Sequence, residues 1–187
     1  MGQLVYLTNT SLDGYIEDEH GAFDLYEPDD DVFAATTTLL RSFGTFLYGR
    51  RLYETMSVWE TDPALAEQSD LTAEFARAWL AADKVVYSAT LTAVSTTSTR
   101  IERDFDPDAV QQLKATASGD LIIGGANLAA RAFEAGLVDE CRLFVWPMIL
   151  GGGKPALPAG IRADLELLDE HRFGNGVVQL RYRIPTG

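Results

Sequence analysis

The stretch GDLIIGGANLAARAFEAGLVDE, residues 119–140, contains the pattern that decides the fold. Its apolar run ends at Gly124 and Gly125, and a helical pattern begins immediately afterwards. We predict a buried strand at Leu121–Ile123 and a helix at Asn127–Ala135, which Gly136 can end. A strand followed at once by a helix is the building unit of a parallel sheet covered by helices.

The same alternation of apolar β-rich runs and helical patterns extends along the chain. We predict further strands at Gln3–Asn9, Thr45–Tyr48, Lys84–Tyr87, Ala93–Ser98, Glu140–Met148, Leu165–Arg172 and Val177–Ile184, and further helices at Asp31–Phe43, Leu71–Ala82 and Asp106–Ala117. Gly174-Asn175-Gly176 favours a tight turn between the last two strands. The sequence therefore predicts one α/β domain over residues 1–187, with a mostly parallel mixed central sheet, helices on both faces and a C-terminal antiparallel hairpin.

Composition and charge exclude several classes of function. The net charge of −13 makes the chain a poor partner for nucleic acids or anionic membranes. The single cysteine, Cys141, excludes an internal disulfide, and the two histidines, His20 and His171, lie in polar segments without a third ligand nearby in sequence. We therefore expect no metal site. Because no apolar run is long enough to span a membrane and the N-terminus does not have the pattern of a signal peptide, we expect a cytoplasmic protein.

Glycines at the end of the central predicted strand indicate a ligand site. In open α/β sheets ligands bind beyond the carboxyl ends of the strands, where a helix that follows directs free N–H groups at an anion. Gly124 and Gly125 would let a phosphate-bearing ligand approach the backbone, although a tight strand-to-helix turn alone would also explain them. The spacing of the G-x-G-x-x-G fingerprint is absent, which disfavours a standard dinucleotide-binding Rossmann domain.

Polar segments suited to anions follow other predicted strands as well. Gly49-Arg50-Arg51 offers two guanidinium groups, and Ser88-Ala89-Thr90 offers hydroxyls; a solvated basic turn and a capped turn are the alternative interpretations. Ser11-Leu12-Asp13-Gly14 follows the first strand, and the Asp13 carboxylate is able to bind a nitrogen heterocycle. An ordinary Asp-Gly turn is the alternative interpretation. We interpret the glycine-rich segment 151–153 as a mobile loop, because Pro155 stands where a Walker motif needs Ser or Thr.

These stretches, taken in order, resemble a known superfamily. SLDGYI, LYGRRLYE, VVYSATL and LIIGGANLAARAFEAGLVDE followed by FVWPMILGGGKPAL are similar to the dihydrofolate reductases and the riboflavin-biosynthesis reductase domains, the RibD C-terminal domains. The chain looks most like the stand-alone bacterial members, and the resemblance runs from Gln3 to about Ile184.

The resemblance implies an NADPH-dependent reductase. The cofactor contacts implied by position are Gly14, Gly49, Arg50, Arg51, Ser88, Ala89, Gly124, Gly125, Ala126, Asn127 and Leu128. The substrate contacts implied are Asn9, Asp13, Tyr15 and Tyr53, and the proton would come from Asp13, Asp24 or a bound water.

The substrate stays open between pterin-like and pyrimidine-like rings. The segment before the first helix has no tryptophan of the kind dihydrofolate reductases have, and Ile123 stands where riboflavin-pathway reductases usually have a glutamate. A nucleotide-binding or ligand-sensing module without catalysis is the alternative function. We also expect a homodimer, because the terminal hairpin leaves an exposed sheet edge and residues 144–150 are strongly apolar.

Overall fold

The computed structural model describes residues 1–22 and 29–185. The strands are β1 (Leu4–Ser11), β2 (Tyr15–Glu17), β3 (Phe43–Gly49), β4 (Asp83–Tyr87), β5 (Thr99–Glu102), β6 (Asp120–Gly124), β7 (Glu140–Trp146), β8 (Lys154–Pro155), β9 (Glu166–Arg172) and β10 (Val178–Arg183). The helices are α1 (Asp30–Leu40), α2 (Arg50–Met56), α3 (Val58–Thr61), α4 (Pro63–Ala66), α5 (Asp70–Ala81), α6 (Pro107–Thr116) and α7 (Ala126–Glu134).

Eight of these strands form one sheet in the order β5-β4-β3-β6-β1-β7-β10-β9. Every pairing from β5 to β7 is parallel, whereas β10 is antiparallel to both β7 and β9. The backbone N–H of Phe173 donates to the carbonyl of Val177 at 2.8 Å, which closes the hairpin around Gly174-Asn175-Gly176. The predicted mostly parallel sheet with a C-terminal antiparallel hairpin is therefore confirmed.

Two apolar clusters show that helices cover both faces of the sheet. Alternate residues of a strand point to opposite faces, so Ile122 packs with Phe75 and Trp79 of α5. Its neighbours on β6, Leu121 and Ile123, pack in the second cluster, to which α6 and α7 contribute. Because the central strands are buried on both sides, they are continuous apolar runs rather than alternating ones.

One predicted strand is wrong. Residues 93–98 form no strand, and the edge strand β5 begins at Thr99 instead. The hydroxyl of Tyr53 lies 3.0 Å from that of Thr96 and accepts the N–H of Ser95 at 2.9 Å, and Ser98 has a positive φ of 48°. These contacts with Tyr53 of α2 occupy polar groups of residues 95–96, so the segment does not pair as a strand. The β-rich composition of residues 93–98 gives no sign of these contacts.

The segment between β3 and α5 forms the short helices α2, α3 and α4, which the sequence analysis does not predict. Asp62 caps α4 by accepting the N–H of Ala64, and Ser69 and Thr72 form a reciprocal capping box at the start of α5. Because α2 begins at Arg50, directly after the strand residue Gly49, this local structure fixes where the Arg50 and Arg51 side chains leave the sheet edge.

Candidate functional site

The carboxyl ends of three neighbouring strands meet at one edge of the sheet. In the register of the parallel strands, Gly49 at the end of β3 lies opposite Tyr87 at the end of β4, and Tyr48 lies opposite Gly124 at the end of β6. Ser88 follows Tyr87 directly. Gly49, Ser88 and Gly124 are therefore brought together, as the sequence predicts.

This edge is also a topological switch point. The chain leaves β3 towards β4 through helices that pack in the cluster of Phe75 and Trp79, and it leaves β6 towards β7 through α7, which packs in the opposite cluster. Connections that leave adjacent strands to opposite faces open a crevice between them, and ligands of open α/β sheets bind in such crevices. By this rule the expected ligand crevice lies between the ends of β3 and β6.

Gly124 and Gly125 are explained by the protein itself. A Cβ on Gly124 would lie 2.5 Å from Cδ2 of Leu52 and 3.0 Å from Cε1 of Tyr48, so Gly124 permits close packing of α2 on β6. Gly125 has a φ of 89°, a conformation that favours glycine. The tight strand-to-helix turn is thus sufficient to account for both glycines, and neither requires a ligand.

The N-terminus of α7 is nevertheless suited to an anion. Gly125 is its N-cap, makes no side-chain capping hydrogen bond, and would have only open space around an added Cβ. The first turn has no acidic side chain, and Ala126 and Asn127 are at least partly exposed. Free N–H groups at a helix N-terminus attract phosphate. Leu128, in contrast, is buried in the core against α6 and the sheet rather than open to the crevice.

Arg50 joins the ends of β3 and β4. Its Nε donates to Glu54 at 2.7 Å, and its Nη1 donates to Oγ1 of Thr90 at 2.9 Å. The buried Ser88 hydroxyl accepts the backbone N–H groups of Thr90 and Leu91 at 3.3 and 3.0 Å, so it shapes the turn, while Ala89 and Thr90 are exposed. The half-exposed guanidinium of Arg50 lies beside the hydroxyl of the exposed Thr90, and together they are chemically suited to contact a phosphate.

Arg103 is a further residue at this end of the sheet, and sequence reasoning missed it. Its Nη1 donates to the carbonyl oxygens of Ser88 at 3.1 Å and Leu91 at 2.6 Å. The signal that would have found it is an arginine directly after a strand, but the strand was predicted several residues too early. Arg103 thus holds the backbone of the Ser88–Leu91 turn, whereas Arg50 contacts the Thr90 side chain.

Arg51 contacts a different part of the structure from Arg50. Its Nη1 is 3.4 Å from Oε1 of Glu17, and the same carboxylate binds Nζ of Lys154 at 2.8 Å. Glu17, Arg51 and Lys154 line an open groove together with residues 18–21 and Gly153. The adjacent arginines therefore serve different regions: Arg50 contacts the turn after β4, and Arg51 the strand pair β2–β8.

Asp13 anchors a loop. One carboxylate oxygen accepts the Ser11 hydroxyl at 2.6 Å and the Leu150 N–H at 3.1 Å, and the other accepts the Gly151 N–H at 2.7 Å. The hydrogen bond from Ser11, with those from the two backbone groups, holds the pKa of Asp13 below its usual value. An ionised, hydrogen-bonded carboxylate is poorly suited to donate a proton. Asp24, the other candidate donor, lies outside the described residues.

The segment after Asp13 packs closely against residues 153–156. Gly14 has a φ of 90°, and its carbonyl accepts the N–H of Ala156 at 2.8 Å. Gly153, with a φ of 128°, lies so close to β2 that an added Cβ would be 2.0 Å from the carbonyl oxygen of Glu17. Backbone contacts with the first loop define the position of residues 151–153, and the mobility of this segment stays a prediction.

The predicted substrate contacts separate into two groups. Asn9 is exposed on β1, where its Oδ1 accepts the indole N–H of Trp146 at 3.0 Å, and Tyr15 lies partly exposed on β2. Tyr53 is only 2 % exposed, and its hydroxyl is used by Ser95 and Thr96. Tyr53 therefore belongs to the core, and its place in the predicted substrate site is not supported.

Residues 1–22 and 29–185 contain no group of three or more His, Cys, Asp or Glu side chains placed to hold a metal ion. Within the same ranges, each helix is too short or too polar to cross a membrane.

Comparisons with known proteins agree with this architecture. The protein YyaP of Bacillus subtilis (strain 168), described as uncharacterized, is 32% identical over 174 residues, which cover 92% of this chain and 89% of YyaP. The solved structure of a putative riboflavin biosynthesis protein from Shewanella sp. PV-4 is similar with a TM-score of 0.73 and 21% identity, covering 98% of this chain and 99% of the other.

A pyrimidine reductase-like protein from Corynebacterium diphtheriae is similar with a TM-score of 0.66 and 13% identity, covering 100% of this chain and 93% of the other. These two solved structures show the fold. The model of the RibD C-terminal domain matches residues 3–179, almost the whole chain. This chain therefore belongs to the RibD C-terminal domain family.

Proposed function

We propose that this protein is an NADPH-dependent reductase that transfers a hydride to a C=N or C=O bond of a small planar, pterin- or pyrimidine-like substrate. The observation that supports this most directly is the convergence of Gly49, Ser88 and the N-terminus of α7 at one switch point of the sheet. Membership of the RibD C-terminal domain family supports a reductase in general terms.

The residues at this edge fit the two anionic parts of NADPH. Free N–H groups at the start of α7 are suited to the pyrophosphate, and Gly49 and Gly125 have open space where a side chain would stand. Arg50 and Thr90 are suited to the additional phosphate that distinguishes NADPH from NADH, because a guanidinium binds phosphate oxygens through charge and paired hydrogen bonds.

NADPH, when bound, supplies the hydride, and the chain provides position and a site from which water is excluded. The β2–β8 pair and the loop held by Asp13 lie beside the end of β1, where they would enclose the substrate. The exposed Asn9 and the partly exposed Tyr15 are the residues best placed to contact it.

Titration of the purified protein with NADPH, followed by nicotinamide fluorescence, tests the cofactor site. We expect binding below hundreds of micromolar, and oxidation of NADPH on addition of one compound from a panel of oxidised pterins, pyrimidines and simple carbonyl compounds. Failure to bind NADPH over this range would exclude the proposal. Binding without oxidation would favour a ligand-sensing module, the second candidate, which gains support from the use of Asp13 as an anchor.

Replacing Asp13 with Asn distinguishes an anchor from a proton donor. The amide loses one acceptor oxygen, so we expect faster hydrogen exchange at Leu150 and Gly151 and a fall in kcat of about 10-fold or less, because only one positioning contact is lost. The pH dependence of kcat should keep its shape. A loss of about 100-fold or more together with loss of an acidic limb in the profile would show that Asp13 donates the proton.

A further inference from the structure

The loop that joins β4 to β5 contains one of the two groups proposed to contact the additional phosphate of NADPH. Residues 88–98, the β4–β5 loop, form no helix or strand. Thr90 of this loop accepts the hydrogen bond from Arg50 of α2, and both residues are exposed. A hydrogen bond between exposed groups competes with water and holds a loop weakly. Arg103 holds the start of the loop to the end of β5 and not to α2, so these contacts alone do not fix Thr90 beside Arg50.

Tyr53 fastens the same loop to α2 at a second place. Its hydroxyl accepts the backbone N–H of Ser95 at 2.9 Å and lies 3.0 Å from the hydroxyl of Thr96. Tyr53 is 2 % exposed and Thr96 8 %, and a hydrogen bond is stronger where water is excluded. Tyr53 and Arg50 are three positions apart on α2 and therefore lie on the same side of the helix. The β4–β5 loop thus meets α2 both at residue 90 and at residues 95–96.

Glu60 of α3 strengthens the attachment of the same part of the loop. Its Oε1 accepts the backbone N–H of Thr97 at 2.7 Å. Leu91 and Val94 pack, partly buried, against the core cluster that contains Tyr53, but apolar contacts have no preferred direction. The hydrogen bonds at residues 95–97 are therefore the contacts that determine how the loop lies along α2 and α3.

The Tyr53 hydroxyl is separate from the part of the side chain that fills the core. The ring belongs to the cluster of Phe75 and Trp79, whereas the hydroxyl contacts the loop. Because Arg50 is part of α2 and Thr90 is part of the loop, a phosphate bound by both needs the helix and the loop at one separation. A displacement of about 1 Å is enough to spoil such a site. Loss of the hydroxyl alone would therefore act on the pair of Arg50 and Thr90 without removing the ring from the core.

We propose that Tyr53 is a positioning residue for the selection of NADPH over NADH. Its hydroxyl holds the β4–β5 loop on α2, so that Thr90 stays beside Arg50 and both reach the additional phosphate. Tyr53 is buried, and it acts through these two residues rather than by touching the cofactor. This role rests on the proposed function, because NADPH has to be the cofactor.

Tyr53→Phe removes the hydroxyl and keeps the ring. We expect the affinity for NADPH to fall by about 3- to 10-fold, which is the effect of one lost hydrogen bond, and the affinity for NADH to change by less than about 2-fold. Fluorescence titration with each cofactor measures both constants. Hydrogen exchange at the Leu91 amide, which binds Ser88 and not Tyr53, should also become faster, because the loop is released as a whole.

Tyr6→Phe is the matched control. The Tyr6 hydroxyl donates to the carbonyl of Ala156 at 2.6 Å, and the residue is fully buried, so this variant also loses one buried hydrogen bond. Both variants should melt at similarly lowered temperatures, but Tyr6→Phe should keep the ratio of the two dissociation constants and the exchange rate at Leu91. The same result for both variants would mean that Tyr53 has a structural role only, and would overturn the proposal.

Thr96→Val keeps the role testable if Tyr53→Phe fails to fold, because it removes a partner of the hydroxyl from the loop side. It should reduce the preference for NADPH by a smaller factor, since the N–H of Ser95 still binds Tyr53. An undiminished preference in whichever of the two variants folds would overturn the role of Tyr53 and leave the proposed function intact. If the unaltered protein binds no NADPH, the proposed function fails and this role with it.

Discussion

Replacing Arg50 with Ala is expected to weaken NADPH binding by about 10- to 100-fold and NADH binding by less than about 3-fold. The guanidinium reaches Thr90 beside the Ser88 turn, where the extra phosphate of NADPH is proposed to bind. A hydrogen bond to a charged group contributes about 1.5–3 kcal/mol, which corresponds to this range of affinity. Fluorescence titration with each cofactor measures both constants.

The neighbouring arginine gives a matched control. Arg51→Ala removes the same charge one residue later, but its side chain contacts Glu17 instead of the turn after β4. It should therefore leave the ratio of the NADPH and NADH dissociation constants unchanged. The Arg50 side chain is 47 % exposed and that of Arg51 67 %, and ion pairs of exposed side chains contribute little to stability. The melting temperatures of both variants should therefore stay close to that of the unaltered protein. An equal loss of affinity for NADPH and NADH in Arg50→Ala would show that Arg50 does not recognise the additional phosphate.

Replacing Gly153 with Ala is expected to separate β8 from β2. The new Cβ would lie 2.0 Å from the carbonyl oxygen of Glu17 and 2.8 Å from the carbonyl carbon of Asp18, and the φ of 128° is unfavourable for any side chain. The obstacle is backbone, which cannot rotate aside as a side chain can. Overpacking and backbone strain each cost about 1–3 kcal/mol, so we expect a fall in melting temperature of about 5 °C or more.

Gly152→Ala tests the specificity of this effect. An added Cβ at Gly152 meets nothing within 4 Å, and its φ lies outside the left-handed region. Circular dichroism melts should therefore show a loss only for Gly153→Ala, accompanied by faster hydrogen exchange in Tyr15–Glu17. If the two variants melt alike and exchange alike, the close approach of β8 to β2 does not contribute to stability as we infer.

The ends of β3, β4 and β6 were predictable from the sequence alone. Apolar runs followed by glycine or serine predicted where β3, β4 and β6 end, because strand ends are marked locally by composition. Parallel pairing then brings those ends to one edge, as the register shows. The hairpin was predictable for the same reason, since Asn175-Gly176 fixes a turn within a few residues.

The partners of individual side chains were not predictable. Asp13 binds Gly151, 138 positions later, and Tyr53 binds Thr96, 43 positions later. Neither contact leaves a local pattern, so the sequence analysis keeps Asp13 as one of three candidate proton sources, beside Asp24 and a bound water, and Tyr53 as a substrate contact implied by the resemblance.

The sequence by itself determined the order of the seven longer strands other than β5 and of helices α1, α5, α6 and α7, the hairpin, and the glycine and arginine positions at the strand ends. These features depend on residues close to each other in the chain. Only the tertiary structure decided that Arg50 and Arg51 diverge and that Gly124 makes room for Leu52. Those features depend on which surfaces pack together, and packing joins residues that are distant in the chain.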